Sequence, residues 1–153
     1  MSALDTTRGR VLIVDDQHDL LEGMKTLLEL CDIDVTMHDS MITLPLILRE
    51  ADPDVVLLDV SLPALSGSAA MRMGLRRLLR TDASLLLFSG RSPEELSKLS
   101  EELQADGFIT KAQDPMEIVN RIQMWIDRRR LVRATQRNGA INVTARTASA
   151  ATR

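Results

Sequence analysis

The sequence is poor in aromatic residues and in cysteine, and each scarcity limits what the protein can be. Of 153 residues only Phe88, Phe108 and Trp125 are aromatic, so the core must be aliphatic. Cys31 is the single cysteine, which excludes an internal disulfide and suits a reducing compartment. No apolar run approaches the roughly 20 residues that cross a bilayer, and residues 1–10 lack a signal-peptide core. These absences predict a cytoplasmic protein with no membrane partner.

The composition fits one globular domain followed by a different C-terminal segment. An apolar fraction of 44% with 27% charged residues is ordinary for a soluble domain, and the length is short for two domains. The net charge of −3 argues against nucleic acid as the main partner. Residues 131–153 are basic and rich in Ala, Thr and Ser. We expect them to form a mostly flexible extension that prolongs the last helix by a turn or two, with no effector domain.

Short apolar runs alternate with helical patterns five times between residues 9 and 130. The predicted strands lie at 11–14, 33–37, 54–58, 84–88 and 107–110. Helices are expected at 20–31, 41–51 and 68–80 and after the N-cap candidates Ser92 and Asp114, with Ser40 as the candidate cap of the second helix. This alternation predicts an α/β fold with a doubly wound, five-stranded parallel sheet, flavodoxin-like (βα)5, in the strand order 2-1-3-4-5.

Polar residues follow or end four of the predicted strands. Asp15 and Asp16 follow the first strand, Asp59 the third, Ser89 the fourth and Lys111 the fifth. Ligand sites in such sheets lie at the carboxyl ends of the strands. Three converging carboxylates would repel one another unless a hard cation such as Mg²⁺ or a fixed positive charge such as that of Lys111 compensated them. Each residue alone is commonly a cap or turn residue, and their coincidence favours a functional site.

Four segments carry a more specific resemblance. They are VLIVDD at 11–16, VVLLDVSLPALSG at 55–67, LLFSG at 86–90 and GFITK at 107–111. In order and spacing they resemble the receiver domain of bacterial response regulators, across about residues 9–130. The resemblance implies that Asp59 accepts a phosphoryl group from a phosphohistidine of a sensor histidine kinase or a histidine phosphotransfer protein.

The resemblance also implies the roles of the neighbouring residues. Mg²⁺ would be held by Asp15, Asp16, Asp59 and the backbone carbonyl of Ser61, and Lys111 would neutralise phosphoryl oxygens. Ser89 and Phe108 would form a switch that reshapes the surface of the fourth helix, the fifth strand and the fifth helix for an unknown downstream protein. For Phe108 a core-filling role is an equally good interpretation. The implied protein is a stand-alone response regulator of a phosphorelay rather than an enzyme, and a homodimer is compatible with it.

Two features depart from the family pattern. Ala112 stands after Lys111 where receivers usually have proline with a cis peptide bond. A cis bond before a residue other than proline costs about 2.5–4 kcal/mol, so this loop is either trans and rearranged or held cis under strain. Ser61 and Arg91 offer no acid or amide to orient an attacking water, from which we expect slow self-dephosphorylation.

Other functions remain open from the sequence. Ala112 leaves room for a degenerate receiver that acts as a phosphorylation-independent protein-interaction scaffold. A phosphatase of the haloacid-dehalogenase type is disfavoured because it would need a second Asp where this chain has Ser61. A flavodoxin is disfavoured because no phosphate-binding loop follows the first strand. The arginines at 128–137 indicate nucleic acid or acidic lipid only weakly, because no aromatic residues are interleaved with them.

Overall fold

The computed structural model describes residues 8–61 and 81–150, with side chains described in these ranges except at 18–20 and 141–150. One parallel sheet has the strand order β2-β1-β3-β4-β5, which confirms the predicted doubly wound topology. The strands are β1 Gly9–Val14, β2 Ile33–His38, β3 Val55–Leu58, β4 Ser84–Ser89 and β5 Gly107–Thr110. The helices in the described ranges are α1 His18–Leu30, α2 Leu44–Ala51, α3 Pro93–Glu102 and α4 Pro115–Ala150. The helix predicted at 68–80 lies outside the described residues.

The aliphatic core lies on both faces of the sheet. Alternate side chains of each strand point to opposite faces, so Leu12 and Val14 pack on one face, while Val11 and Ile13 pack on the other. The first face is covered by α2 and α3, and the second by α1 and α4. Burial on both sides explains why β3 and β4 are continuous apolar runs rather than alternating ones.

The register of the strands brings their carboxyl ends level with one another. Val14 pairs with His38 of β2 on one side and with Leu58 of β3 on the other. The next backbone amides continue this pattern, since Asp59 N–H donates to the Val14 carbonyl at 3.0 Å. The residues that directly follow β1 and β3 therefore lie next to each other at the carboxyl edge of the sheet.

Two of the three predicted helix caps are confirmed. The Ser92 hydroxyl accepts the N–H of Glu95 at 3.3 Å, and the Asp114 carboxylate accepts the N–H of Met116 at 2.9 Å. The prediction for Ser40 is wrong, because α2 begins only at Leu44. The Ser40 hydroxyl instead accepts the N–H two residues on, at 3.3 Å, as in a local turn.

The last helix is longer than the sequence indicated. We expected a turn or two of helix after residue 130, whereas α4 continues to Ala150. Its arginines near residue 130 pair with aspartates at the amino-terminal edge of the sheet, which a local pattern does not reveal. Within the described ranges no helix, α4 included, combines the length and the apolar character that a bilayer crossing requires.

The close approach of β1 to α4 yields a test of the packing. A Cβ at Gly9 would lie 2.8 Å from Cδ1 and 3.0 Å from Cγ2 of Ile126, a fully buried side chain. We expect Gly9→Ala to lower the free energy of unfolding by about 1–3 kcal/mol, because the core must shift to admit the methyl group. Gly23→Ala is the control, since that Cβ meets nothing within 4 Å, and it should raise stability by about 0.5–1 kcal/mol. Urea unfolding of both variants checks this, and equal effects would contradict it.

Candidate functional site

Three carboxylates meet at the carboxyl edge of the sheet. Asp15 follows β1 and Asp59 follows β3, and their side chains are only 1% and 2% exposed, whereas Asp16 is exposed. One carboxylate oxygen from each of the three lies within 4.8 Å of the others. The structure thus brings together the three aspartates that the sequence predicted at one site.

Lys111, which follows β5, points into this cluster. Its Nζ donates to Asp15 Oδ2 at 2.7 Å and lies 3.7 Å from Asp59 Oδ2. The ammonium also lies 5.2 Å from the centroid of the Phe88 ring. The lysine side chain is 27% exposed, so the ion pair is only partly screened by water. A fixed positive charge therefore stands among the carboxylates, as the sequence led us to expect.

Asp15 is held as an anion despite its burial. Burial alone raises the pKa of this carboxyl group, but the hydrogen bond from Lys111 and the one from the Gln17 N–H, at 2.8 Å, lower it. The pKa of Asp15 consequently lies below its ordinary value. Two donors thus occupy separate oxygens of Asp15, with Gln17 on Oδ1 and Lys111 on Oδ2.

Ser61 orients Asp59 directly, which the sequence analysis missed. The Ser61 N–H donates to Asp59 Oδ1 at 3.0 Å and its hydroxyl donates to Oδ2 at 2.6 Å. An Asp followed two residues later by Ser is a spacing from which such a turn could have been recognised. Gln17 makes the corresponding amide contact two residues after Asp15. The role of the Ser61 carbonyl as a metal ligand stays a prediction.

Ser89 and Phe108 are the two residues of the predicted switch: Ser89 ends β4, and Phe108 is the second residue of β5. Ser89 is buried, its hydroxyl accepts the Arg91 N–H at 3.3 Å, and its carbonyl accepts the Lys111 N–H at 2.8 Å. Phe108 is half-buried and packs against the core cluster that includes Leu87. Both the switch and the core-filling interpretations of Phe108 stay predictions.

The peptide bond between Lys111 and Ala112 is trans, because the described residues contain no cis peptide bond. Of the two alternatives for this loop, the trans form is the one observed. The Thr110 hydroxyl accepts the Ala112 N–H at 3.3 Å, and the Thr110 carbonyl accepts the Gln113 N–H at 3.4 Å. The Lys111 ammonium still contacts Asp15, so the missing proline does not displace it from the cluster.

The donor atoms at this site are all oxygens. Two buried carboxylates and one exposed carboxylate form a set that suits a hard divalent cation, which commonly retains several water ligands. The described residues of this cluster include no cysteine or histidine, which softer metals favour. The site can therefore concentrate negative charge, compensate it with Lys111, and accept a small hard cation beside the exposed Asp16.

Comparison with known proteins agrees with this geometry. The model of the response regulator receiver domain family matches residues 11–123. The chain is 28% identical over 118 residues to the phosphate regulon transcriptional regulatory protein PhoB of Pseudomonas aeruginosa, covering 77% of this chain and 52% of that protein. It is 30% identical over 127 residues to the DNA-binding response regulator MtrA of Mycobacterium tuberculosis, covering 82% and 54%. The chain thus spans about half the length of the curated relatives it matches.

A solved structure gives the same result for the fold. The chain superposes with a TM-score of 0.65 on a two-component response regulator of the LuxR family from Aurantimonas sp. SI85-9A1. The two are 26% identical, and the alignment covers 79% of this chain and 86% of that one.

Burial raises the pKa of Asp15 and its hydrogen bonds lower it, so the contribution of Lys111 can be tested by titration. In Lys111→Met the ammonium is lost while burial remains, so we expect the pKa of Asp15 to rise relative to the wild type. Lys111→Arg, which keeps the charge, should leave it low. Because the wild-type pKa is depressed, the stabilisation by ionised Asp15 is present above its unfolded pKa of about 3.9 and is lost as the pH falls through the lower folded value. Carbon-detected NMR titration in metal-free buffer measures this, and an unchanged pKa in Lys111→Met would contradict the assignment.

Proposed function

The chain belongs to the response regulator receiver domain family, and from that membership we propose that Asp59 accepts a phosphoryl group from a phosphohistidine of a sensor histidine kinase or a histidine phosphotransfer protein. The observation that carries the proposal is the surroundings of Asp59. Its buried carboxylate lies beside two further aspartates and 3.7 Å from the Lys111 ammonium. A phosphoryl donor approaching this edge would meet a nucleophilic oxygen and a positive charge together.

The oxygen donors fit Mg²⁺, for which Asp15, Asp16, Asp59 and the Ser61 carbonyl are the proposed ligands. When bound, Mg²⁺ would offset the negative charge of the phosphoryl oxygens and help to align them.

Asp59 is a better acceptor than Asp15 because of how the two carboxylates are held. Asp15 accepts hydrogen bonds from the Lys111 ammonium at 2.7 Å and from the Gln17 N–H at 2.8 Å, and its pKa is lowered, so we expect its oxygens to be weaker nucleophiles. Asp59 accepts two hydrogen bonds from neutral groups of Ser61, and Lys111 stands 3.7 Å away, where it is placed to contact a phosphoryl oxygen. The arrangement favours Asp59.

The transfer step follows from these positions. An oxygen of Asp59 forms a bond to phosphorus while the phosphorus–nitrogen bond of the phosphohistidine breaks, and the electron pair of that bond stays on the imidazole. The Lys111 ammonium neutralises charge on the equatorial oxygens, so catalysis consists of positioning and electrostatic stabilisation. The product is an acyl phosphate on Asp59.

The acyl phosphate would act on the surface formed by α3, β5 and α4, in which α3 and α4 are the fourth and fifth helices predicted from the sequence. It brings added negative charge and strong acceptor oxygens to the strand edge where the Ser89 hydroxyl lies. We propose that Ser89 moves to bond the phosphoryl group and that half-buried Phe108 turns inward, which changes the surface offered to a downstream protein. In this account the domain is a signalling module whose only chemistry is its own phosphorylation and slow dephosphorylation.

The relatives also bear on what the complete protein does. Relatives such as MtrA are named as DNA-binding regulators, and this chain matches about half of their length. Our expectations of a stand-alone regulator in the cytoplasm, without a nucleic-acid partner, stay predictions. The scaffold alternative loses its main support, because Ala112 leaves Lys111 in contact with Asp15.

Phosphorylation can be tested by intact mass. After incubation with acetyl phosphate and Mg²⁺ we expect the wild type to gain one phosphoryl group. Asp59→Asn, which keeps the size of the side chain but lacks the nucleophilic carboxylate, should gain none. Omission of Mg²⁺ should strongly reduce the wild-type gain. A folded wild type that gains nothing with Mg²⁺ present would instead favour the phosphorylation-independent scaffold.

The lifetime of the acyl phosphate tests the role of Ser61. The Ser61 hydroxyl donates to Asp59 Oδ2 at 2.6 Å. The side chain has neither an acid nor an amide group that would orient an attacking water. We expect a half-life of minutes or longer for the wild type, and a half-life shortened several-fold in Ser61→Asn, whose amide can hold a water. Decay of the phosphorylated mass over time measures both, and a wild-type half-life of seconds would overturn this part of the account.

A further inference from the structure

A second buried carboxylate lies at the opposite, amino-terminal edge of the sheet. Asp54 directly precedes β3, and it is only 2% exposed. Its Oδ2 accepts the backbone N–H of Arg10 in β1 at 3.0 Å. The remaining charge is met from α4, where Arg133 Nη1 donates to Oδ1 at 3.0 Å and Arg130 Nε donates to Oδ2 at 3.4 Å.

Arg133 ties α4 to two further segments. Its Nη2 donates to the Pro53 carbonyl at 3.2 Å and to Asp82 Oδ1 at 2.7 Å. Arg129 reaches the other oxygen of Asp82, also at 2.7 Å. Asp54 precedes β3 and Asp82 precedes β4, so the contacts join α4 to the start of both strands. We name this network, Arg129, Arg130 and Arg133 with Asp54 and Asp82, the arginine clasp.

The environment of the clasp favours the charged forms of Asp82 and Arg133. Arg133 is 16% exposed and Asp54 only 2%, so water screens this pair little, whereas Asp82 is 61% exposed and its pairs with Arg129 and Arg133 are screened more. The hydrogen bond from Arg133 lowers the pKa of Asp82. Burial lowers the pKa of Arg133, but the bond to Asp82 and the surrounding carboxylates outweigh it and raise the value above the ordinary one. Arginines that resemble a nucleic-acid patch in the sequence are thus directed at the protein's own aspartates.

Beyond the clasp, α4 becomes exposed. Residues 134–140 are all exposed, and the helix continues to Ala150. This stretch contains Thr135, Asn138 and Gly139, which are weak helix formers. A helix of this length and composition would not nucleate alone, so it depends on continuing from a segment already held by tertiary contacts.

We propose that the arginine clasp is a positioning device for the C-terminal part of the chain. Among the side chains of α4 that the structure describes, Ile126 is the last fully buried one, so the contacts that hold the helix beyond that residue are those of the clasp. With it, the helix stays fixed to the sheet as far as Arg133, and the direction of the following helical arm, residues 134–150, is set relative to β3 and β4. The arm then meets any partner at a defined place on the domain. This inference does not depend on phosphoryl transfer at Asp59.

Hydrogen exchange of the full chain, read by mass spectrometry, tests the proposal. The variant is Arg133→Gln, and its matched control is Arg137→Gln, which removes the same charge from an exposed position one turn further along. We expect peptides covering residues 130–140 to exchange roughly tenfold or more faster in Arg133→Gln, because a buried carboxylate loses its partner and the last turns open. The control should match the wild type. Exchange in β3, residues 55–58, shows whether the body remains folded.

A double-mutant cycle separates the clasp from a general loss of stability. Asp54→Asn and Arg133→Gln should each weaken protection of residues 130–140, and the double variant should lose less than the sum, because the two side chains act as a pair. Unchanged protection in Arg133→Gln, or strictly additive losses, would overturn the proposal. A decrease of the wild-type protection on dilution would also overturn the proposal, because the arm would then be held by a second copy of the chain.

Discussion

Compensation of buried carboxylate charge is the constraint on which this structure depends. A parallel sheet covered on both faces places the ends of β1 and β3 side by side, and Asp15 and Asp59 stand there almost without solvent. An isolated buried anion is costly, and the cost falls only when partners meet it closely. Lys111, which follows β5, meets Asp15 at 2.7 Å and stands 3.7 Å from Asp59.

At the amino-terminal edge of the sheet, the charge of another buried carboxylate is compensated in a different way. Asp54 is as buried as Asp59, but arginines of α4 pair with both of its oxygens. Guanidinium groups bind carboxylates through several fixed donors, which suits a permanent contact. At the carboxyl edge a single lysine ammonium faces three carboxylates, so most of the negative charge of the aspartate cluster is left for a cation to offset. One end of β3 thus carries a carboxylate paired with arginines, and the other carries one that lies beside two further aspartates and Lys111.

The sequence predicted the strands and most of the helix starts from local patterns, but it missed one local turn and the contacts between residues distant along the chain. Buried parallel strands are continuous apolar runs, so β3 and the position of Asp59 after it were predictable. Ser92 and Asp114 were recognised as caps because proline follows each of them and fixes the first turn. Ser40 failed since its hydroxyl closes a local turn before the helix begins. The length of α4 was missed because its arginines pair with Asp54, 76 and 79 residues away along the chain.

The central claim is that the geometry makes Asp59, rather than Asp15 or Asp16, the phosphoacceptor. The most direct measurement is to phosphorylate the wild type with acetyl phosphate and Mg²⁺, reduce the acyl phosphate with borohydride, and locate the product by peptide mass spectrometry. Reduction converts a phosphorylated aspartate to homoserine, so the account predicts homoserine at position 59 and intact aspartate at 15 and 16. Homoserine at position 15 or 16 would contradict the account, because it would mean that a carboxylate other than that of Asp59 is the reactive one.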